Sequence, residues 1–139
     1  MQKTLFIFLS IVALVSCNNH TSKNTRASIY SEYIDSHQLV GTNNIRTFKF
    51  QDWSSLDDKH LIISSSHNNF YLVTLDFYCN DLQHTSNILL DQSISSTLSA
   101  KFDSIIVPNN IQLKCRIKSF HKITKDQKNE LTALRKNSL

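Results

Sequence analysis

Six histidines, a pair of adjacent aspartates and the cysteines Cys17, Cys79 and Cys115 are the residues of this chain that carry metal, acid–base or redox chemistry. A metal site read from sequence needs ligands at short spacings, such as HxH or HExxH. His20, His37, His60, His67, His84 and His121 offer none of these. His60 and His67 bracket one expected strand and, seven apart, point to opposite faces. Asp57 and Asp58 could serve as acid and base, but adjacent carboxylates rarely share a site and a turn is the simpler account. Asp81 and Asp103 end apolar runs, where capping a turn or pairing with Arg116 or Arg46 is expected. Ser119 and Lys122 have the spacing of a nucleophile and base one helical turn apart, in a stretch that reads as strand. One glycine, Gly41, cannot build a phosphate-binding loop. The expectation is no catalytic residue, no metal and no cofactor. An enzyme, of the hydrolase class, would need tertiary structure to bring a histidine and a carboxylate beside a serine.

The first stretch of the chain decides where such residues would work. Met1 to Cys17 reads MQKTLFIFLSIVALVSC. Lys3 makes a positive start, Leu5 to Val15 is apolar except for Ser10, and small residues precede the cysteine. This is the layout of a secretory leader, too short for a spanning helix. Leu14-Val15-Ser16-Cys17 resembles the lipobox of bacterial lipoproteins. The resemblance implies that residues 1–16 are removed, that Cys17 is lipidated, and that the protein is held to a membrane through that lipid. In the related sorting rule, Asp after the cysteine retains a lipoprotein in the inner membrane. Asn18 therefore points to the outer membrane, on its periplasmic side.

Export excludes nucleic acid as a partner. Lys and Arg outnumber Asp and Glu by 15 to 11, and the excess is local. Residues 114–139 carry eight basic side chains and two acidic ones. Lys114, Arg116 and Lys118 alternate along one strand and form a basic face. That face suits an envelope protein or an anionic envelope polymer; the ordinary alternative is a solvated strand.

Hydrophobic residues make up 40% of the chain, enough for one core. Residues 17–27 are polar and read as a flexible tether, and 28–139 as a single domain. Ile29, Tyr30, Tyr33, Ile34 and His37 recur at helical spacing, which predicts a helix over Ser28–Gln38 with Ser28 as its cap. Strands are expected over Ile45–Trp53 with Phe48 and Phe50 as a core pair, and in a hairpin of His60–Ser66 and Phe70–Phe77. Further strands are expected over Ile94–Phe102, Ile105–Val107 and Ile111–Lys118. Asn43-Asn44, Asn68-Asn69 and Asn109-Asn110 stand where turns are needed. Thr124 and Gln127 have the capping-box spacing of a short last helix, expected to fray beyond Arg135. The fold class is α+β. A mostly antiparallel sheet of six or seven strands, open to curling into a half-barrel, lies between an N-terminal and a short C-terminal helix.

Two cysteines remain once Cys17 is lipidated. In an oxidising compartment Cys79 and Cys115 are expected to bridge; a redox pair is the rival, without the CxxC spacing that lowers a thiol pKa.

Arg46-Thr-Phe48, Trp53-Ser-Ser-Leu56-Asp-Asp58, Tyr71-Leu72-Val-Thr-Leu75, Cys79-Asn-Asp81-Leu82, Ser99-Ala100-Lys-Phe102-Asp103 and Cys115-Arg116-Ile117 occur in order. Together they resemble a family of small envelope proteins, domain of unknown function 6491, over residues 29–124. The family pattern carries both cysteines, which supports their pairing, and it carries no assigned activity. Relatives favour Gly and Pro where this chain has its Asn-rich turns. The function expected is a lipid-anchored, non-catalytic binding or structural module. The alternative is a periplasmic small-ligand carrier with Phe48, Phe50, Trp53, Tyr71 and Phe102 around its ligand.

Overall fold

A run in which Cys115 and Ile117 alternate with Lys114, Arg116 and Lys118 must bury one face and wet the other. It becomes the longest strand of the protein. The computed structural model describes residues 22–108 and 112–137, with side chains from Ile29 onward. The elements are α1 (Ser22–Ser36), β1 (Gly41–Thr42), β2 (Asn44–Arg46), β3 (Asp52–Ser55), β4 (His60–Ser66), β5 (Asn69–Leu75), β6 (Leu89–Asp91), β7 (Thr97–Ser99), β8 (Ser104–Val107), β9 (Leu113–Ile123) and α2 (Lys125–Asn137). The expected leader, the lipobox-like Leu14–Cys17 and the turn expected at Asn109-Asn110 lie outside the described residues.

β9 is shared by three neighbours. β5 pairs with its second half, from Phe70↔Ile123 to Leu75↔Ile117. β8 pairs with its first half, from Ser104↔Arg116 to Val107↔Leu113. β1 pairs with the opposite edge of that second half, with Gly41↔His121 and Thr42↔Phe120. β4 and β3 extend the sheet beyond β5, and β6 extends it beyond β8. All these pairs are antiparallel, and the sheet curls into a half-barrel. β2 and β7 form a separate two-stranded piece. The α+β class and both flanking helices are as expected.

The sheet has a core on each side. The larger one gathers Leu61, Ile63, Val73, Leu75, Ile105, Ile117 and Phe120 and is closed by Ile45, Phe48, Leu98 and Ala100 from the β2–β7 region. On the other side Tyr30 and Tyr33 of α1 and Leu131 of α2 pack on Ile62, Leu72 and Ile123. Each such apolar side chain contributes about 1.5–3 kcal/mol on burial. The disulfide Cys79–Cys115 spans 36 residues, with its Cα atoms 5.7 Å apart. It ties the segment after β5 to the first half of β9. The capping box forms as the sequence predicts: Thr124 N–H donates to Gln127 Oε1 at 2.9 Å, and Gln127 N–H donates to Thr124 Oγ1 at 3.2 Å.

Where the structure departs from the pattern, the backbone has left the extended conformation. The expected strand Ile45–Trp53 stops at Arg46, because Thr47 sits at φ 51°. Phe48 is still buried, but Phe50 is exposed. The strand expected over Ile94–Phe102 shrinks to Thr97–Ser99, and Lys101 turns at φ 70°. Leu98 and Ala100 reach the core while Ile94 and Phe102 stand in solvent. Alternation carries a side chain inward only while every intervening residue stays extended. α1 begins at Ser22 rather than Ser28 and runs through part of the expected tether, so Ser28 is not its cap. α2 continues past Arg135 to Asn137, held by a fully buried Leu131.

Two stability changes follow. Replacing Cys79 and Cys115 by Ala should lower the unfolding free energy by about 4 kcal/mol, the chain-entropy value for a loop of this length. Urea denaturation of oxidised wild type against the variant measures it. Thr47→Gly should raise stability by about 1 kcal/mol, because a β-branched residue is strained in the left-handed region; thermal melting reads that.

Candidate functional site

Asp57 occupies the bend between β3 and β4. Its Oδ1 accepts the N–H groups of Lys59 and His60, each at 2.6 Å. This is the side-chain turn that aspartate favours. The same carboxylate accepts the Nδ1–H of His60, 3.0 Å from both oxygens. Both residues are buried, His60 at 1% exposure. Pairing of β4, β5 and β9 sets His60 opposite Thr74, Thr74 opposite Ser119, and Leu72 opposite His121. These polar side chains therefore share the sheet face that the helices cover. The Tyr30 ring of α1 lies 5.4 Å from the His60 ring.

The arrangement has part of a nucleophilic machine. Asp57 holds the His60 ring through its Nδ1 and leaves Nε2 as the second, buried ring nitrogen. Across the strand pair stands the Thr74 hydroxyl. The bond from base to hydroxyl is not made: His60 Nε2, Thr74 Oγ1 and His121 Nδ1 are all buried without a hydrogen-bond partner. His121 titrates below the usual histidine range, first because it is buried and second because His60 is near.

The basic row lies at the other end of β9. Lys114, Arg116 and Lys118 are all exposed. Lys114 Nζ sits 2.8 Å from Asp91. Just after β5, the Asp76 N–H donates to the Arg116 carbonyl at 3.0 Å, and three residues later Cys79 is bridged to Cys115. The segment between them lines a groove of about 340 Å³ with Phe77, Tyr78, Leu113, Lys114, Cys115 and Arg116. Lys59 Nζ is 5.7 Å from the centre of the Tyr78 ring. The other basic residues of the C-terminal stretch do not join this row. Lys128, on α2, packs its ammonium 4.6 Å from the Phe70 ring.

Several sequence readings change here. Asp103 pairs with neither Arg116 nor Arg46. Its buried carboxylate accepts the Ser93 N–H and hydroxyl, both at 2.8 Å, and the Ser99 N–H at 2.6 Å, so it organises the loop from Ser93 to Ser99. Asp81 stands in a turn at φ 65°, its carbonyl accepting the His84 and Thr85 N–H groups at 3.0 Å. The five aromatics expected around a carried ligand divide between core and surface, with the Phe48 and Phe50 rings 6.5 Å apart. Phe48 is buried, Trp53 and Tyr71 pack against the larger core, and Phe50 and Phe102 are exposed. The Asp57–His60 pair and the Phe77–Tyr78 step were not singled out from sequence. An aspartate three residues before a histidine at a strand start is the one signal that could have shown the pair.

Stability should fall on acidification because of His121. The unfolded chain takes up the proton near the ordinary histidine pKa of about 6.5. The folded state holds the ring neutral to lower pH. The contribution is complete above that value and is lost as pH falls through it toward the folded pKa. Melting temperatures from pH 8 to 5 should drop for wild type and drop less for His121→Gln.

Among known proteins, one family model matches this chain, over residues 1–138, and its description reads Family of unknown function (DUF6491). Neither the curated proteins nor the solved structures yield a match.

Proposed function

The chain belongs to the DUF6491 family, whose function is unknown, and from that premise we propose that it is a lipid-anchored binding module of the cell envelope. In this reading residues 1–16 are a leader, Cys17 carries the lipid, and the domain faces the periplasm from the outer membrane. The domain binds an anionic partner and catalyses nothing.

The observation that carries the reading is the row Lys114, Arg116 and Lys118, exposed along β9 beside the exposed rings of Phe77 and Tyr78. Positive charge on the open face of a strand attracts an anionic surface, and the rings add contact area that charge alone lacks. The Cys79–Cys115 bridge suits an oxidising compartment.

The Asp57–His60 pair favours a second reading, a hydrolase in which α1 lifts away from the histidine. Turnover of simple esters or amides that disappears in Asp57→Asn would carry that reading.

Replacement of Lys114, Arg116 and Lys118 together by Glu should abolish the partners captured by crosslinking in intact cells, identified by mass spectrometry. Cys17→Ser should move the protein from the membrane fraction to the soluble fraction. Unchanged crosslinks in the charge-reversed variant would remove the basic face from the proposal.

A further inference from the structure

Three aromatic side chains stand out of the surface around the basic row. Phe77 and Phe102 are each 79% exposed, and Tyr78 is 46% exposed. They arrive from different loops. Phe77 and Tyr78 follow Asp76, which is bonded to Arg116 on one edge of β9. Phe102 sits on the other edge, between two backbone bonds to Ile117. The Lys101 N–H donates to the Ile117 carbonyl at 2.7 Å, and the Ile117 N–H donates to the Asp103 carbonyl at 3.1 Å. The backbone segments that carry the three rings therefore flank Arg116 and Ile117 on both edges of β9.

An isolated exposed ring is ordinary, but rings gathered among cations mark an interaction surface. Lys59 and Lys101 add to the positive charge around them, while Asp76 lies within the same segment and Asp91 is paired with Lys114. A polysaccharide would be met by side chains that both donate and accept hydrogen bonds. Phenylalanine does neither, and two of the three rings are phenylalanines, side chains that enter the boundary between head groups and acyl chains. Only four residues of chain separate Cys17 from α1, a Cα-to-Cα reach of at most about 18 Å when fully extended. A domain anchored there works against the bilayer surface.

We propose, resting on the anchored reading above, that the face made by Phe77, Tyr78, Phe102, Arg116 and Lys118 docks on the anionic phospholipid head groups of the membrane that holds the protein. The cations engage lipid phosphates, and the two phenylalanines enter the interfacial layer. Each cation should contribute about fivefold to partitioning, an effect that salt weakens.

The test uses the full chain, purified with its N-terminus as the cell leaves it, and vesicles of phosphatidylethanolamine with or without phosphatidylglycerol. Flotation reports attachment of any kind, and hydrogen exchange reports the face. The expected result is slower exchange of amides 76–78 and 101–103 only with phosphatidylglycerol, reversed by high salt. Phe77→Ser/Phe102→Ser and Arg116→Ser/Lys118→Ser should each abolish that protection without changing flotation or melting temperature. Flotation with no protection on either vesicle overturns the docking face and leaves the anchor standing. Flotation that needs both phosphatidylglycerol and the two phenylalanines supports the face and removes the anchor. Protection by soluble dextran sulfate, with none from vesicles, overturns the proposal and assigns the face to a polymer.

Discussion

One extra residue in β9 governs how the layers of this protein meet. Thr74 faces Ser119 and Leu75 faces Ile117, so Lys118 has no partner of its own across the pair. An inserted residue reverses which face every later side chain takes. Before it, Cys115 and Ile117 point into the larger core; after it, Phe120 does. His121 and Ile123 are thereby turned toward the helices. Without the insertion, a single strand could not serve β8, β5 and β1 and still keep apolar residues inward along all eleven positions.

The helix-covered side is closed as much by polar contacts as by apolar ones. Tyr33 of α1 donates its hydroxyl proton to Glu130 of α2, which joins the two helices over the sheet. Burial and the Glu130 carboxylate push that hydroxyl's pKa well above the usual tyrosine range. Beneath them lies the Asp57–His60 pair, with three buried polar atoms left unpartnered nearby. Such groups cost about 1–3 kcal/mol each, a cost that falls on this side of the sheet. The other side is dry and apolar, and the disulfide secures it.

The two regions of chemical interest are thus separated along β9. The buried pair lies under α1, with His60 Nε2 closed off from solvent. The basic row lies where the helices end, open to whatever the protein meets. Only the second can touch a large partner without rearrangement, which is why the binding reading rests on it.

Local chemistry alone determined much of this protein. The capping box of Thr124 and Gln127, the hairpin of β4 and β5, the α1 stripe of Tyr30 and Tyr33, and the basic and apolar faces of Lys114 to Lys118 each depend on residues close in sequence. Their periodicity is visible without the fold. What only the tertiary structure decided is where extended backbone stops and which distant groups meet. Left-handed turns at Thr47 and Lys101 put Phe50 and Phe102 in solvent although their spacing says core. Asp103 gave up its expected arginines for three donors on Ser93 and Ser99. His60, Thr74 and His121 became neighbours only through strand register. Spacing records which side a residue faces on its own strand; which strands lie alongside, and where one is broken, is set by packing among residues far apart in the chain.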